Sequence, residues 1–329
     1  MPDLPADPPS NSPAGTRPAG TQPGVPAETA PADTRSGVPR SIELSIEVPG
    51  TPEQVWQAIA TGPGISSWYV PHRVEERAGG TATASFGPGP EMEVGARVAA
   101  WEPPHRLVFD DGPDAGGLAF EWLVEARDGG SCVVRLVNTG FGDGGPWDEQ
   151  YDALKEGWAL FLANLRLHLE HFPGREAASA LPVGMWTATR QAAWAILASA
   201  LHIPPTLAVG DHLTLDAGDA GDAGDVGDAG DVGDAGDVGD AGYVGDGPGS
   251  RHSTAGARLA GTVVDVAESR VVLLLDEPAA GTGFVVAEGH SPGCAVSVWA
   301  YLYGDQRSTL ADQVTAVWGR WLEAHAPPG

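Results

Sequence analysis

The sequence predicts an α+β fold in which a curved antiparallel sheet closes around a long C-terminal helix over about residues 41–173, in tandem with a reduced second copy. Three observations predict it. Between residues 73 and 138, short apolar-polar runs are separated by Gly, Pro and Asp, the mark of a strand meander rather than of alternating strands and helices. Between residues 146 and 172, apolar residues recur at three- and four-residue spacing, which lays them on one face of a helix. Short strings of the first half then return in the second at an offset of about 161 to 162 residues.

Order begins at Ser41. Ile42, Leu44, Ile46 and Val48 alternate with Glu43, Ser45 and Glu47, the period of two expected of a half-buried strand. A helix follows, for Thr51 suits an N-cap, Pro52 the first helical position and Gln54 the second partner of a capping box. Val55, Trp56 and Ile59 give that helix an apolar face, Gly62, Pro63 and Gly64 break it, and a short turn carries Ile65 and Trp68. Strands are expected over 73–77, 81–86, 94–101, 106–110, 118–126 and 132–138, the last with Cys132, Val134 and Leu136 on one face and Arg135 on the other. The closing helix carries Tyr151, Leu154, Trp158, Phe161, Leu162, Leu165, Leu169 and Phe172 along its stripe.

In the second half, Gly95-Ala96-Arg97 returns as Gly256-Ala257-Arg258, and Cys132 with Gly142-Asp143 returns as Cys294 with Gly304-Asp305. Residues 174–329 therefore read as a divergent second domain, with strands over 271–275 and 296–303 and a helix over 188–203. Leu310, Val314, Val317 and Trp321 line a final helix, and the opening strand of this copy is missing or unclear. Two segments stand apart. Residues 1–40 hold ten prolines and no apolar periodicity, so they read as a disordered Pro/Ala-rich tail. Residues 217–250 are nearly pure Ala-Gly-Asp and Val-Gly-Asp triplets, read as a flexible, self-repelling low-complexity loop, because collagen needs proline and the calcium-binding nonapeptide repeat has another spacing.

Ten of the 44 acidic residues behind the net charge of −26 are aspartates between Asp216 and Asp246, so without that stretch the chain is only moderately acidic. With no Lys/Arg cluster, the chain has no footprint for phosphate backbones, which excludes nucleic acid and anionic membrane as partners. The longest apolar segment, about 192–201, is too short to span a bilayer and stops at Pro204 and Pro205, so no membrane insertion is expected. The first residues lack a basic stretch followed by an apolar block, and Cys132 and Cys294 sit far apart in apolar runs, expected as buried free thiols; a cytoplasmic location follows.

The run Pro52-x-x-Val55-Trp56-x-x-Ile59, Trp68 twelve residues after Trp56, Gly95 to Val98, Glu102-Pro103-Pro104-His105-Arg106-Leu107-Val108-Phe109, Gly129-Gly130, Thr139-Gly140-Phe141 and Gly157-Trp158 occur in the order of the START-like, or SRPBCC, helix-grip superfamily. Within it the sequence resembles most the bacterial domains similar to the activator of heat-shock-protein ATPase. The resemblance covers about 130 of the 329 residues. It implies an apolar cavity between sheet and C-terminal helix, used across the superfamily for lipids, sterols, polyketides or plant hormones, and does not imply one reaction. The co-chaperone members carry an additional N-terminal domain for which a Pro-rich tail is no substitute.

Strand parity and the helix stripe single out Trp68, Phe86, Val98, Phe109, Trp122, Leu136, Phe141, Trp158, Phe161, Leu162 and Leu165 as cavity-facing candidates. As a group they point to a small hydrophobic molecule as partner, with a co-chaperone-like protein partner as the alternative and a polyketide cyclase-like enzyme as a weaker one. No convergent acids, nucleophile with base, or metal cluster stands at recognisable spacing, so no catalytic residue, metal or cofactor is assigned. His168 and His171 lack a third ligand and read as a solvated helix end; His105 sits in an exposed turn. His72, Arg73 and Arg97 would polarise a carbonyl only if they faced the cavity, and parity places Arg97 and Arg106 outside. Cys132 has no neighbouring base in sequence and reads as a structural thiol.

Overall fold

The structure, a computed structural model, describes residues 40–87, 89–112, 117–141, 145–218, 257–289 and 293–328. Nearly all of the Pro-rich segment and most of the triplet tract lie outside the described residues.

The first unit opens with β1 (Ile42–Pro49), followed by α1 (Pro52–Ala60) and α2 (Gly62–Ser66). The capping box forms: the Gln54 amide donates to Thr51 Oγ1 at 3.3 Å and the Thr51 amide donates to Gln54 Oε1 at 2.9 Å, giving otherwise orphaned N–H groups their partners. At the corner between the helices a Cβ on Gly64 would run into the Gln57 carbonyl, so only glycine lets α2 fold back so tightly. The meander is β2 (His72–Val74), β3 (Thr81–Ser85), β4 (Glu93–Glu102), β5 (Arg106–Asp110), β6 (Ala119–Arg127) and β7 (Ser131–Thr139). These strands form one antiparallel sheet in the order β1-β7-β6-β5-β4-β3-β2.

Burial follows the pleat. In β7, Cys132, Val134, Leu136 and Asn138 are buried, and in β6 so are Trp122 and Val124. The opposite face carries ion pairs that run across neighbouring strands: Arg97 with Asp110 at 2.9 Å, Arg106 with Glu121 at 2.6 Å and Arg135 with Glu43 at 2.8 Å. These exposed pairs fix little energy, about 0–1 kcal/mol each, and mark the wet side of the sheet. Its apolar side is covered by α3 (Gly145–His171), whose Leu154, Trp158, Leu162, Leu165 and Leu169 join the strands and α1 in one core.

The second unit repeats the topology. It consists of β8 (Ala177–Ala180), β9 (Val183–Trp186), α4 (Arg190–Ala200), β10 (His212–Leu215), β11 (Leu259–Ala267), β12 (Arg270–Glu277), β13 (Gly281–Glu288), β14 (Cys294–Tyr303) and α5 (Arg307–Ala324). The sheet runs β10-β11-β12-β13-β14-β8, with β9 also paired to β14. The opening strand that the sequence leaves missing or unclear is present as β8 and β9, which pair in succession along the same β14, at residues 300–303 and 294–297. Leu181-Pro182 interrupts it, and Pro182, with no N–H to give the ladder, still accepts from the Val298 amide at 3.3 Å. β14 thus stands where β7 stands in the first sheet, with Cys294 opening it much as Cys132 lies at the start of β7.

The second sheet is buried on both faces. Val271, Leu273, Leu275, Val285, Val296, Val298, Ala300 and Leu302 pack toward α4 and α5. The alternate residues Val272, Phe284, Val286 and Tyr301 pack instead on Leu160 of α3, with Leu167 and Trp299 beside them. This double burial is why β12 to β14 read as unbroken apolar runs rather than alternating ones. The helix α3 is therefore held between two sheets. The solvated helix end expected for His168 is corrected by this arrangement: His168 is 2% exposed, and its Nδ1 lies 2.7 Å from the Tyr303 hydroxyl of β14, while His171 remains exposed.

Candidate functional site

A partly enclosed cavity of about 100 Å³ lies in the first unit between the concave sheet and α3. Its wall is built from the α1–α2 corner (Ile59, Ile65, Trp68, Tyr69), from His72, from the strands (Ala82, Thr83, Ala84, Val94, Ala96, Phe109, Phe120, Trp122), from Phe86, and from Trp158 of α3. The space exists because three alanines, Ala82, Ala84 and Ala96, sit on strands whose neighbours carry large rings, so the sheet and helix are held apart on one side without being filled on the other.

The rings form a connected cage. Trp158 packs against Tyr69 at 4.9 Å between ring centroids, Trp122 at 5.5 Å and Phe120 at 5.7 Å, and Trp68 meets Trp122 edge-on at 5.8 Å. Offset and edge-to-face pairs of this kind add about 0.5–1.5 kcal/mol each beyond area burial, enough to keep the cage open in a fixed shape. The Trp68 indole N–H donates to the Ala58 carbonyl at 2.9 Å, whereas the Trp158 indole N–H is buried with no hydrogen-bond partner.

His72 is the one titratable imidazole in the wall. Its Nδ1 is 2.7 Å from the Val70 carbonyl, which can only accept, so Nδ1 carries the proton. Burial holds its pKa down at about 4, so the ring is neutral near pH 7 and Nε2 is an acceptor. No Lys, Arg, Asp or Glu belongs to the wall. Tyr69 is likewise kept protonated, its pKa raised by burial.

The second unit grips the wall from behind. Asn164 of α3 donates from Nδ2 to the Trp68 carbonyl at 2.8 Å, and its Oδ1 accepts from Thr282 Oγ1 of β13 at 2.8 Å. The Tyr303 hydroxyl donates to the Ser67 carbonyl at 3.2 Å, which leaves the hydroxyl oxygen to accept from His168 Nδ1, and Ser67 Oγ accepts from the Ala177 amide at 3.0 Å. Tyr69 meets Phe161 at 4.4 Å, and Phe161 stacks on Trp299 of β14 at 5.4 Å. Residues 67–69 are thus fixed by groups more than 90 positions away in sequence.

Of the residues singled out in the sequence, the structure brings Trp68, Phe86, Phe109, Trp122 and Trp158 into the wall. Val98, Leu136, Leu162 and Leu165 are packed in the surrounding core, Phe161 stands behind Tyr69, and Phe141 lies against Tyr151 at 5.2 Å. Arg73 and Arg97 turn outward to Glu93 and Asp110, and His105 is exposed. Sequence reasoning missed Tyr69, Phe120 and the small residues. Tyr69 follows Trp68 directly, outside any periodic stripe, and an alanine facing a cavity looks in sequence like any other alanine.

Two antiparallel sheets, few helices and an aromatic-walled space under α3 define a tandem helix-grip, START-like protein. Residues 49–170 match the family described as Activator of Hsp90 ATPase homolog 1-like protein. No curated protein matches the chain. Among solved structures it is similar to the Aha1 dimer from Colwellia psychrerythraea, at 19% identity over 40% of this chain and 97% of that one, with a TM-score of 0.35. It is also similar to the di-domain ARO/CYC BexL from the BE-7585A biosynthetic pathway, at 15% identity over 88% and 100% with a TM-score of 0.37. DynU16, a putative protein in the dynemicin biosynthetic locus, matches at 19% identity over 86% and 97% with a TM-score of 0.34.

Proposed function

We propose that the protein binds a small hydrophobic molecule in the cavity beneath Trp158 and does not transform it. The observation that carries this reading is the wall itself: seven aromatic rings and three alanines around an open space, with no charged side chain among them. Apolar surface removed from water contributes roughly 25 cal/mol per Å², and a rigid cage spares the ligand the cost of ordering its site.

The same wall argues against catalysis by His72. A general base works best when its pKa lies near the working pH, and a group at about 4 takes up protons poorly at neutrality. Retention of two buried free thiols fits a cytoplasmic setting, and among the described residues no helix is long and apolar enough to cross a membrane. Native mass spectrometry of the purified chain, with solvent extraction of whatever co-purifies, tests the proposal. Recovery of a bound small molecule, or a thermal shift with one class in a lipid and polyketide panel, is expected; repeated recovery of empty protein with no shift would overturn it.

A further inference from the structure

The cavity says more about its guest than that it is hydrophobic. Its volume of about 100 Å³ is on the scale of the engineered cavity of about 150 Å³ that takes up one benzene, so a single ring fills it. Seven of the fifteen wall residues are Phe, Tyr or Trp, which favours a planar guest that can stack or meet edges. One ring nitrogen in that wall is not spent on the protein. His72 donates from Nδ1 to Val70, which leaves Nε2 as an acceptor with no partner given to it among the described residues. The Trp158 indole N–H, though without an acceptor, is closed off from the space. An open ring nitrogen in a largely apolar wall that also holds the Tyr69 and Thr83 hydroxyls matches a hydroxyl, which both donates and accepts. A carboxylate would enter with no cation to meet it, and an ammonium would meet no anion.

Resting on the binding reading above, we propose that the ligand is a neutral monocyclic phenol, or a larger molecule presenting such a ring, whose hydroxyl donates to His72 Nε2. Three probes of one shape separate the possibilities: p-cresol, toluene and p-toluate, titrated into the full chain and followed by tryptophan fluorescence. p-Cresol is expected to bind up to about tenfold more tightly than toluene, as one net hydrogen bond allows, and p-toluate at neutral pH to bind least. His72→Phe should bring p-cresol down to the level of toluene while toluene changes by less than about twofold, which also reports an intact fold. His72→Gln, which keeps an acceptor of similar reach, should retain part of the preference, and it decides the matter should His72→Phe bind neither probe. Equal binding of p-cresol and toluene by the unsubstituted chain, or a p-cresol preference that survives both substitutions, overturns the phenol assignment and leaves the apolar site standing. Binding of none of the three overturns both.

Discussion

The grip of the second unit on the cavity wall makes a quantitative prediction at Asn164 and Thr282. Thr282→Val keeps the shape of the side chain but removes the hydroxyl that donates to Asn164 Oδ1 at 2.8 Å, in a site where both residues are at most 1% exposed. An unsatisfied buried acceptor costs about 1–3 kcal/mol, and that is the expected loss for this substitution. Asn164→Leu removes two bonds at once and orphans both the Trp68 carbonyl and the Thr282 hydroxyl, so its loss should be larger, about 2–5 kcal/mol. In the double variant the hydroxyl and amide no longer leave each other unpaired, so the two costs should overlap by about 1–2 kcal/mol. Urea unfolding of the four proteins gives the cycle, with an unchanged m-value as the condition that the same surface is exposed in each. Strict additivity would refute the reasoning, because it would mean that the two side chains do not share an interaction across the units.

Other consequences follow from the same geometry. Trp158→Ala should destabilise the chain by about 3 kcal/mol in thermal or chemical unfolding, near the low end for a buried Trp because one side of the ring already borders the cavity. His168 is held neutral by burial, with a folded pKa of about 4 against an ordinary 6.5, so the unfolded chain takes up a proton that the folded chain refuses as pH falls between these values. The contribution of His168 should therefore be complete above about pH 6.5 and fall by roughly 3 kcal/mol on acidification toward pH 4, in addition to the loss from His72, which burial holds at a similar value. Replacing His168 by Asn, which keeps a donor toward Tyr303, should remove its share of the slope from the pH–stability curve measured by urea melts and leave that of His72. Cys132 and Cys294 are fully buried with thiol pKa values raised first of all by burial, so a thiol reagent should label neither at neutral pH until denaturant is added.

Much of the first unit was legible because one face of every element meets water. The alternation of Ile42 to Val48, the pleat of Cys132 to Leu136 and the stripe from Leu154 to Leu169 each announce which side is buried, and the capping box at Thr51 marks where α1 starts. The second stripe on α3 was not legible in the same way. Leu160, Asn164, Leu167 and His168 recur at the right spacing, but two of them are polar and become interior only because a distant sheet closes over them. β8 and β9 escaped notice because they are short, rich in small residues and split by Leu181-Pro182, so their strand character comes from pairing with β14 rather than from local propensity. The cavity was half legible. Large rings on the concave face could be read from parity, whereas the empty space depends on which alanine faces which ring, a matter of three-dimensional register.

The central claim is that a small apolar molecule lodges between the first sheet and Trp158. Indole N–H resonances followed by NMR during titration of the full chain with toluene test it most directly. The account predicts saturable shifts at Trp68, Trp122 and Trp158 of the cage, with Trp318 and Trp321 of α5 unmoved. Shifts confined to the α5 tryptophans, or no saturable shift at the cage, would contradict it.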